Sequence, residues 1–139
     1  MADNQSVLSV SIVTPDGRVY EGDSDLLVVK TTIGELGIMP NHVPLIASLE
    51  VDETRVKLGD HEDEIAVNGG FIEFSDNVAT IVADSAERQD DIDVDRAQSA
   101  RQRAEETIKK AQESHDPDTL ARAEVALRRA INRINVANH

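Results

Sequence analysis

The 139 residues carry 14 Lys and Arg against 27 Asp and Glu, for a formal net charge of −13 at pH 7, and contain no cysteine. This acidity excludes nucleic acid as a general partner, because phosphate binding draws on clustered Lys and Arg, and the lack of cysteine excludes disulfides, thiolate metal sites and cysteine nucleophiles. No apolar run reaches the length of about 18 residues that spans a membrane, and the polar stretch Met1 to Ser6 lacks the basic-then-apolar pattern of a secretory signal, so the chain is expected to stay in the cytoplasm.

The first half reads as β-structure. Leu8, Val10 and Ile12 alternate with Ser9, Ser11 and Val13, the period of a half-buried strand. Pro15-Asp16-Gly17 supplies a turn, Val19-Tyr20-Glu21 resumes the strand pattern, and Leu26 to Val29 is a continuous apolar run suited to burial on both faces. Further strands are predicted at Leu45–Leu49, Arg55–Leu58, Ile65–Val67, Phe71–Phe74 and Val78–Ala83, with turns at Leu58-Gly59-Asp60, Asn68-Gly69-Gly70 and Ser75-Asp76-Asn77. Many short strands at close spacing point to a sandwich or flattened barrel. Between them, Gly34 to Leu45 holds two Gly and two Pro, too many backbone constraints for a regular strand, and is expected to be a stiff loop with His42 near its apex.

The character of the chain changes at Ile92-Asp93-Val94-Asp95-Arg96-Ala97, where Asp93 is placed to cap a helix. Beyond it Ala97, Ala100, Ala104, Ile108 and Ala111 recur at spacings of three or four, one stripe of a helix. His115-Asp116-Pro117-Asp118 breaks the pattern, with Asp116 as a second cap and Pro117 at the first helical position. Leu120, Ala123, Leu127, Ala130 and Ile134 mark a second amphipathic helix, and so short a connection favours an antiparallel hairpin. Its alanines bury little area, which leaves the hairpin near balance and able to open.

Charge divides along the same line. Residues 1–86 hold 16 acids and 4 bases, whereas residues 87–139 hold 11 acids and 10 bases. At roughly 100° per residue, Arg122, Arg129 and Arg133 fall within about 40° of each other beside the apolar stripe, and Arg96 and Arg103 lie together on the first helix. Such a groove of like charges calls for an anion, for example a polyphosphate, or else for the carboxylates of Glu105, Glu106 and Glu124. An enzyme is not indicated: His42, His61, His115 and His139 lack metal-site spacing, and no nucleophile motif or Gly-rich phosphate loop is present.

Gly34 to Leu45, then Val67-Asn68-Gly69-Gly70-Phe71-Ile72-Glu73, then Ala86-Glu87-Arg88 leading into Ile92 to Ala97, together with Val13 to Gly17 and Arg128 to Arg133, closely resemble in order the epsilon subunit of bacterial F-type ATP synthases. Met39 and Asn41 depart from the usual loop residues, and Asp95 is an extra acid that competes for Arg96. The resemblance implies an N-terminal β-sandwich of about ten strands, residues 1–87, and a C-terminal antiparallel two-helix hairpin, residues 88–139. It implies a non-catalytic subunit of the central rotor stalk, peripheral on the cytoplasmic face of the membrane, that couples proton flow to ATP synthesis and restrains hydrolysis. The implied partners are the gamma subunit and the ring of c subunits, with Glu35 and His42 facing the ring. When the hairpin is extended, catalytic beta and alpha subunits join them, met by Arg122, Arg128, Arg129 and Arg133.

In some epsilon subunits the motif Ile/Leu-Asp-x-x-Arg-Ala, matched by Ile92, Asp93, Arg96 and Ala97, belongs to an ATP site, whose other members match Glu87, Arg103, Arg129 and Arg133. The resemblance implies adenine contacts around Glu87 to Asp93 and phosphate contacts from the arginines. ATP would be a regulatory ligand, with no obligatory cofactor and no metal site. The alternative is a free-standing ATP-sensing binding protein.

Overall fold

The computed structural model describes residues 6–139. Most of the polar N-terminal stretch, Met1–Gln5, lies outside the described residues. The chain divides into two compact units, one ending at Gln89 and the other Asp90–His139. The first is all β: β1 (Leu8–Thr14), β2 (Gly17–Ser24), β3 (Leu26–Thr31), β4 (Gly34–Ile38), β5 (Leu45–Leu58), β6 (His61–Ser75), β7 (Val78–Ala83) and β8 (Ala86–Arg88). The second holds α1 (Val94–Glu113) and α2 (Pro117–Ala137), preceded by a single 3-10 turn at Gln89–Asp91.

The strands run in the order β2-β1-β7-β6-β5-β3-β4, with β8 paired to β6. All pairings are antiparallel except β1 with β7. Two long strands create the sandwich, because each serves both layers. The first part of β6 pairs with β8 at Ile65, Ala66 and Val67, and its last part pairs with β7 from Gly70 to Ser75. The partner changes at Asn68-Gly69, so these residues form a bend within a strand where the sequence suggests a turn between two. Leu45–Leu49 and Arg55–Leu58 likewise belong to the one strand β5. With β4 and β8, which the sequence pattern did not mark, the strands number eight, close to the ten or so that the family resemblance implies.

The stiff-loop expectation for Gly34–Leu45 is also only half met. Gly34–Ile38 is β4, an edge strand on β3, where the lack of a side chain at Gly37 is tolerated. The remainder is the turn. His42 N–H donates to the Met39 carbonyl, Asn41 takes φ of 70°, and its backbone N–H donates to Asn77 Oδ1 at 2.6 Å. The side-chain amide of Asn77 returns a bond to Asn41 Oδ1 at 3.1 Å, so the turn is fastened to the β6–β7 hairpin.

Inside lie Leu8, Val10, Ile12, Tyr20, Leu27, Val29, Ile38, Val56, Ile65, Ile72, Phe74 and Ile81, contributed by both layers. The alternation that places Ile72, Phe74, Ala79 and Ile81 inward turns Phe71, Val78 and Val82 outward, and Ile46 on β5 is 74% exposed. These residues share one outer face, Phe71 directly opposite Val82, with Glu73, Ser75 and Thr80 interspersed.

Candidate functional site: arginine-lined grooves of the hairpin

Both helices start where the sequence places them. Asp93 Oδ1 accepts from Arg96 N–H at 3.1 Å, and Asp116 Oδ1 accepts from Thr119 N–H at 3.2 Å while its other oxygen accepts from the Thr119 hydroxyl. These bonds hold the Asp116 carboxyl below the usual carboxylate range. Between the helices His115 adopts φ of 54°, and Asp116 N–H donates to Ala111 O while His115 N–H donates to Gln112 O, a Schellman stop. The chain therefore reverses within three residues, Ser114 to Asp116, and α2 packs antiparallel on α1.

The contact is made by small residues. Ala97, Ala104 and Ala111 are the buried residues of α1, seven apart, and Ala123 and Ala130 are buried on α2. Ala100, Ile108, Leu120 and Leu127 of the predicted stripes are half-buried, while Asn132 and Val136, which the stripes omit, are buried.

Counting outward from the turn explains which arginines meet. Arg103 and Arg122 line one open groove of about 440 Å³ with Ala100, Ala104, Thr107 and Thr119. Arg122 also borders a second groove of about 430 Å³, with Ala121, Val125 and Arg129. Arg122 thus links Arg103 to Arg129, a place that helical spacing on each helix separately does not reveal. Glu105 pairs with Arg101 at 3.6 Å. Among the described residues Arg103 and Arg129 have no ion pair with a carboxylate, Arg122 is answered in part by Asp116, whose carboxyl pKa its charge helps to lower, and the buried Nε of Arg129 has no hydrogen-bond acceptor. Positive charges along two grooves that share Arg122 repel one another unless an anion lies between them.

The other members of the predicted nucleotide site are more scattered. Ile92 and Ala97 are buried, Arg96 is exposed and Arg133 half-buried. Arg96 makes no ion pair with Asp95 among the described residues, so the expected competition between them is not seen. Glu87 sits in β8, opposite Ala66 of β6. Of the residues expected to dock on catalytic subunits, Arg128 is exposed and borders a separate groove with Ile108, Glu124 and Leu127. Glu35 and His42, expected to face the ring of c subunits, have different neighbours. Glu35 pairs with Arg55 on β5 at 3.4 Å, whereas the His42 ring stands edge-on to Phe74 at 6.0 Å and hydrogen-bonds the Val43 carbonyl through Nδ1.

A β-sandwich followed by a close-packed antiparallel helical hairpin, with arginines along the hairpin's grooves, defines a two-domain chain. Family comparison makes the assignment specific: the chain belongs to the ATP synthase delta/epsilon chain family, its residues 7–89 matching the beta-sandwich domain and residues 90–138 the long alpha-helix domain. It is 80% identical to the ATP synthase epsilon chain of Levilactobacillus brevis, over the whole of both chains. It is 66% identical to that of Pediococcus pentosaceus, again over the whole of both. A chain in the cryo-EM structure of Euglena gracilis mitochondrial ATP synthase, OSCP/F1/c-ring, shares the fold with a TM-score of 0.79 at 20% identity, covering 99% of this chain and 85% of that one. As an epsilon-type member the chain is a non-catalytic subunit.

Proposed function

We propose that the chain works in the central stalk of a proton-translocating F-type ATP synthase, on the cytoplasmic face of the membrane, as both coupling element and brake on hydrolysis. Among the described residues no helix is long and apolar enough to cross a membrane. The outward-facing Ile46, Phe71, Val78 and Val82 support docking on the gamma subunit, since apolar side chains exposed together on one face mark interaction sites. The turn that fixes His42, with Met39 and Val43 exposed beside it, supports a contact with the c-ring. In the extended state α2 carries Arg122, Arg128, Arg129 and Arg133 toward catalytic beta and alpha subunits.

The folded hairpin is held by ATP. The observation that carries this reading is the set of guanidiniums along the two grooves, Arg103, Arg122 and Arg129, with the buried orphan Nε of Arg129 among them. Arginine forks match phosphate oxygens, so these residues would take the triphosphate, leaving the segment around Glu87 to Asp93 for the base. The sequence holds no Gly-rich phosphate loop, so on this reading binding reports ATP without consuming it. Calorimetric titration of the full chain with ATP, with and without magnesium, tests the reading alongside Arg103→Ala and Arg129→Ala. Saturable binding that disappears in both variants is expected; a flat titration up to millimolar ATP overturns the sensing role.

A further inference from the structure

The pair Asn68-Gly69, which the fold uses as the bend of β6, carries a chemistry of its own. In a flexible chain the backbone nitrogen after an asparagine attacks the side-chain carbonyl carbon, and glycine, with no Cβ to crowd that nitrogen, permits the attack best. The new C–N bond closes a five-membered succinimide while Nδ2 leaves as ammonia. Water then opens the ring at either carbonyl and gives aspartate or isoaspartate, so one water is consumed, one ammonia is released, and nothing is oxidised or reduced. Asn68-Gly69 is the only Asn-Gly pair in the chain.

The fold holds this pair still. Asn68 is 1% exposed, and its Nδ2 donates to Ser85 Oγ at 2.9 Å. Its backbone N–H donates to the Ser85 carbonyl at 2.9 Å, and the Gly69 carbonyl accepts from Asp84 N–H at 3.1 Å. Both members of the pair are therefore tied to Asp84-Ser85, the link between β7 and β8. Attack needs the Asn68 side chain to swing off Ser85 toward the Gly69 nitrogen, and ring opening needs water at a group that burial shields.

We propose that Asn68 is a deamidation site of this chain, kept unreacted in the folded sandwich by its side-chain bond to Ser85 and released when the Asp84-Ser85 link lifts from β6. The product disturbs the fold that made it. Aspartate puts a carboxylate where a neutral amide was buried, and isoaspartate lengthens the main chain by one carbon where β6 changes partner from β8 to β7. The modification thus marks, irreversibly, molecules whose sandwich has opened, whatever the hairpin binds.

Peptide mapping by mass spectrometry tests it, on the full chain incubated in mildly alkaline buffer with and without unfolding urea. An isoaspartate-specific methyltransferase counts the isoaspartyl product. In urea Asn68 is expected to react faster than Asn41 or Asn77, and in the folded chain its own rate should fall by about tenfold or more. Ser85→Ala should raise the folded rate by about fivefold, the scale of one lost hydrogen bond, and leave the rate in urea unchanged. Ser85→Thr, which keeps a hydroxyl, should stay protected. Equal rates at Asn68 in folded and unfolded chains overturn the proposal, as does a Ser85→Ala chain that reacts no faster than the original. A rise in Ser85→Ala matched by faster amide exchange at Ile72 and Ile81 also overturns it, because that is a general loosening of the core rather than the loss of one bond.

Discussion

At the bend of β6 one residue tolerates no replacement. Gly70 has φ of 126°, and a Cβ there would fall 2.1 Å from the Val82 carbonyl oxygen, so both the backbone conformation and the contact with β7 require glycine. Gly69, at φ of 85°, meets only the side chain of Asp84 at 3.0 Å, which can swing aside. Gly70→Ala is therefore expected to cost about 3 kcal/mol or more and Gly69→Ala about 1–2 kcal/mol, read from urea denaturation. The Tyr20–Asp63 bond gives a second prediction, with a sign in pH. Burial, then the bond to Asp63 and its charge, raises the Tyr20 pKa well above that of a free phenol. Burial opposes the Asp63 carboxylate, but hydrogen bonds from Tyr20 and His61 outweigh it and hold its pKa below the usual range. The lowered Asp63 contributes stability above about pH 4 that is lost as pH falls through its folded value. The raised Tyr20 contributes below about pH 10, and its share is lost as pH rises through its own folded value. Tyr20→Phe should thus destabilise by about 1 kcal/mol at pH 7, discounted for the partial exposure of Asp63, and the difference should shrink toward both acid and alkaline ends of a denaturation series.

Among elements, the hairpin is the one whose packing most limits what it can carry. Ala111 is 3% exposed on the contact side of α1, where backbones approach because the side chains are small. Ala111→Leu should force α2 away and cost about 1–3 kcal/mol, seen as an earlier loss of the helical circular dichroism signal in urea. Helix ends were legible in the sequence because Asp93, Asp116 and Pro117 act within one turn, through bonds that depend on local spacing alone. Strand continuity was not. Asn68-Gly69-Gly70 carries the same residues as a hairpin turn, and only the exchange of β8 for β7 along one edge of β6 makes it a bend. Gly34–Ile38 became a strand for a similarly non-local reason, pairing with β3 against its own composition. At the candidate site the arginines of each helix could be grouped by angle, but the role of Arg122 depends on how the two helices face each other. The Tyr20–Asp63 link joins residues 43 apart in sequence, and no periodicity signals it.

Over the whole molecule, charge is divided between an acidic body and a nearly neutral hairpin. The body to residue 86 has 16 acids and 4 bases, and four of the ten bases that follow are the arginines of α2. The docking proposed for those arginines would be electrostatic, and exposed charges are screened beyond about 8 Å at physiological salt. An ATP-held hairpin adds a competing term: at 100 times its dissociation constant a ligand stabilises its preferred state by ~2.7 kcal/mol, about a hundredfold shift in population. On the proposed reading, an interface whose fully buried residues on α1 are all alanine lets a shift of that size decide between folded and extended arms. Changing Arg122, Arg128, Arg129 and Arg133 together to Gln should therefore release ATP hydrolysis in a reconstituted complex to the rate seen when residues 90–139 are deleted. Inhibition by the unmodified chain should weaken as salt rises and as ATP is added. Hydrolysis still inhibited as strongly in the quadruple variant would mean that α2 blocks by its bulk alone, and its basic charge would then belong wholly to the nucleotide groove.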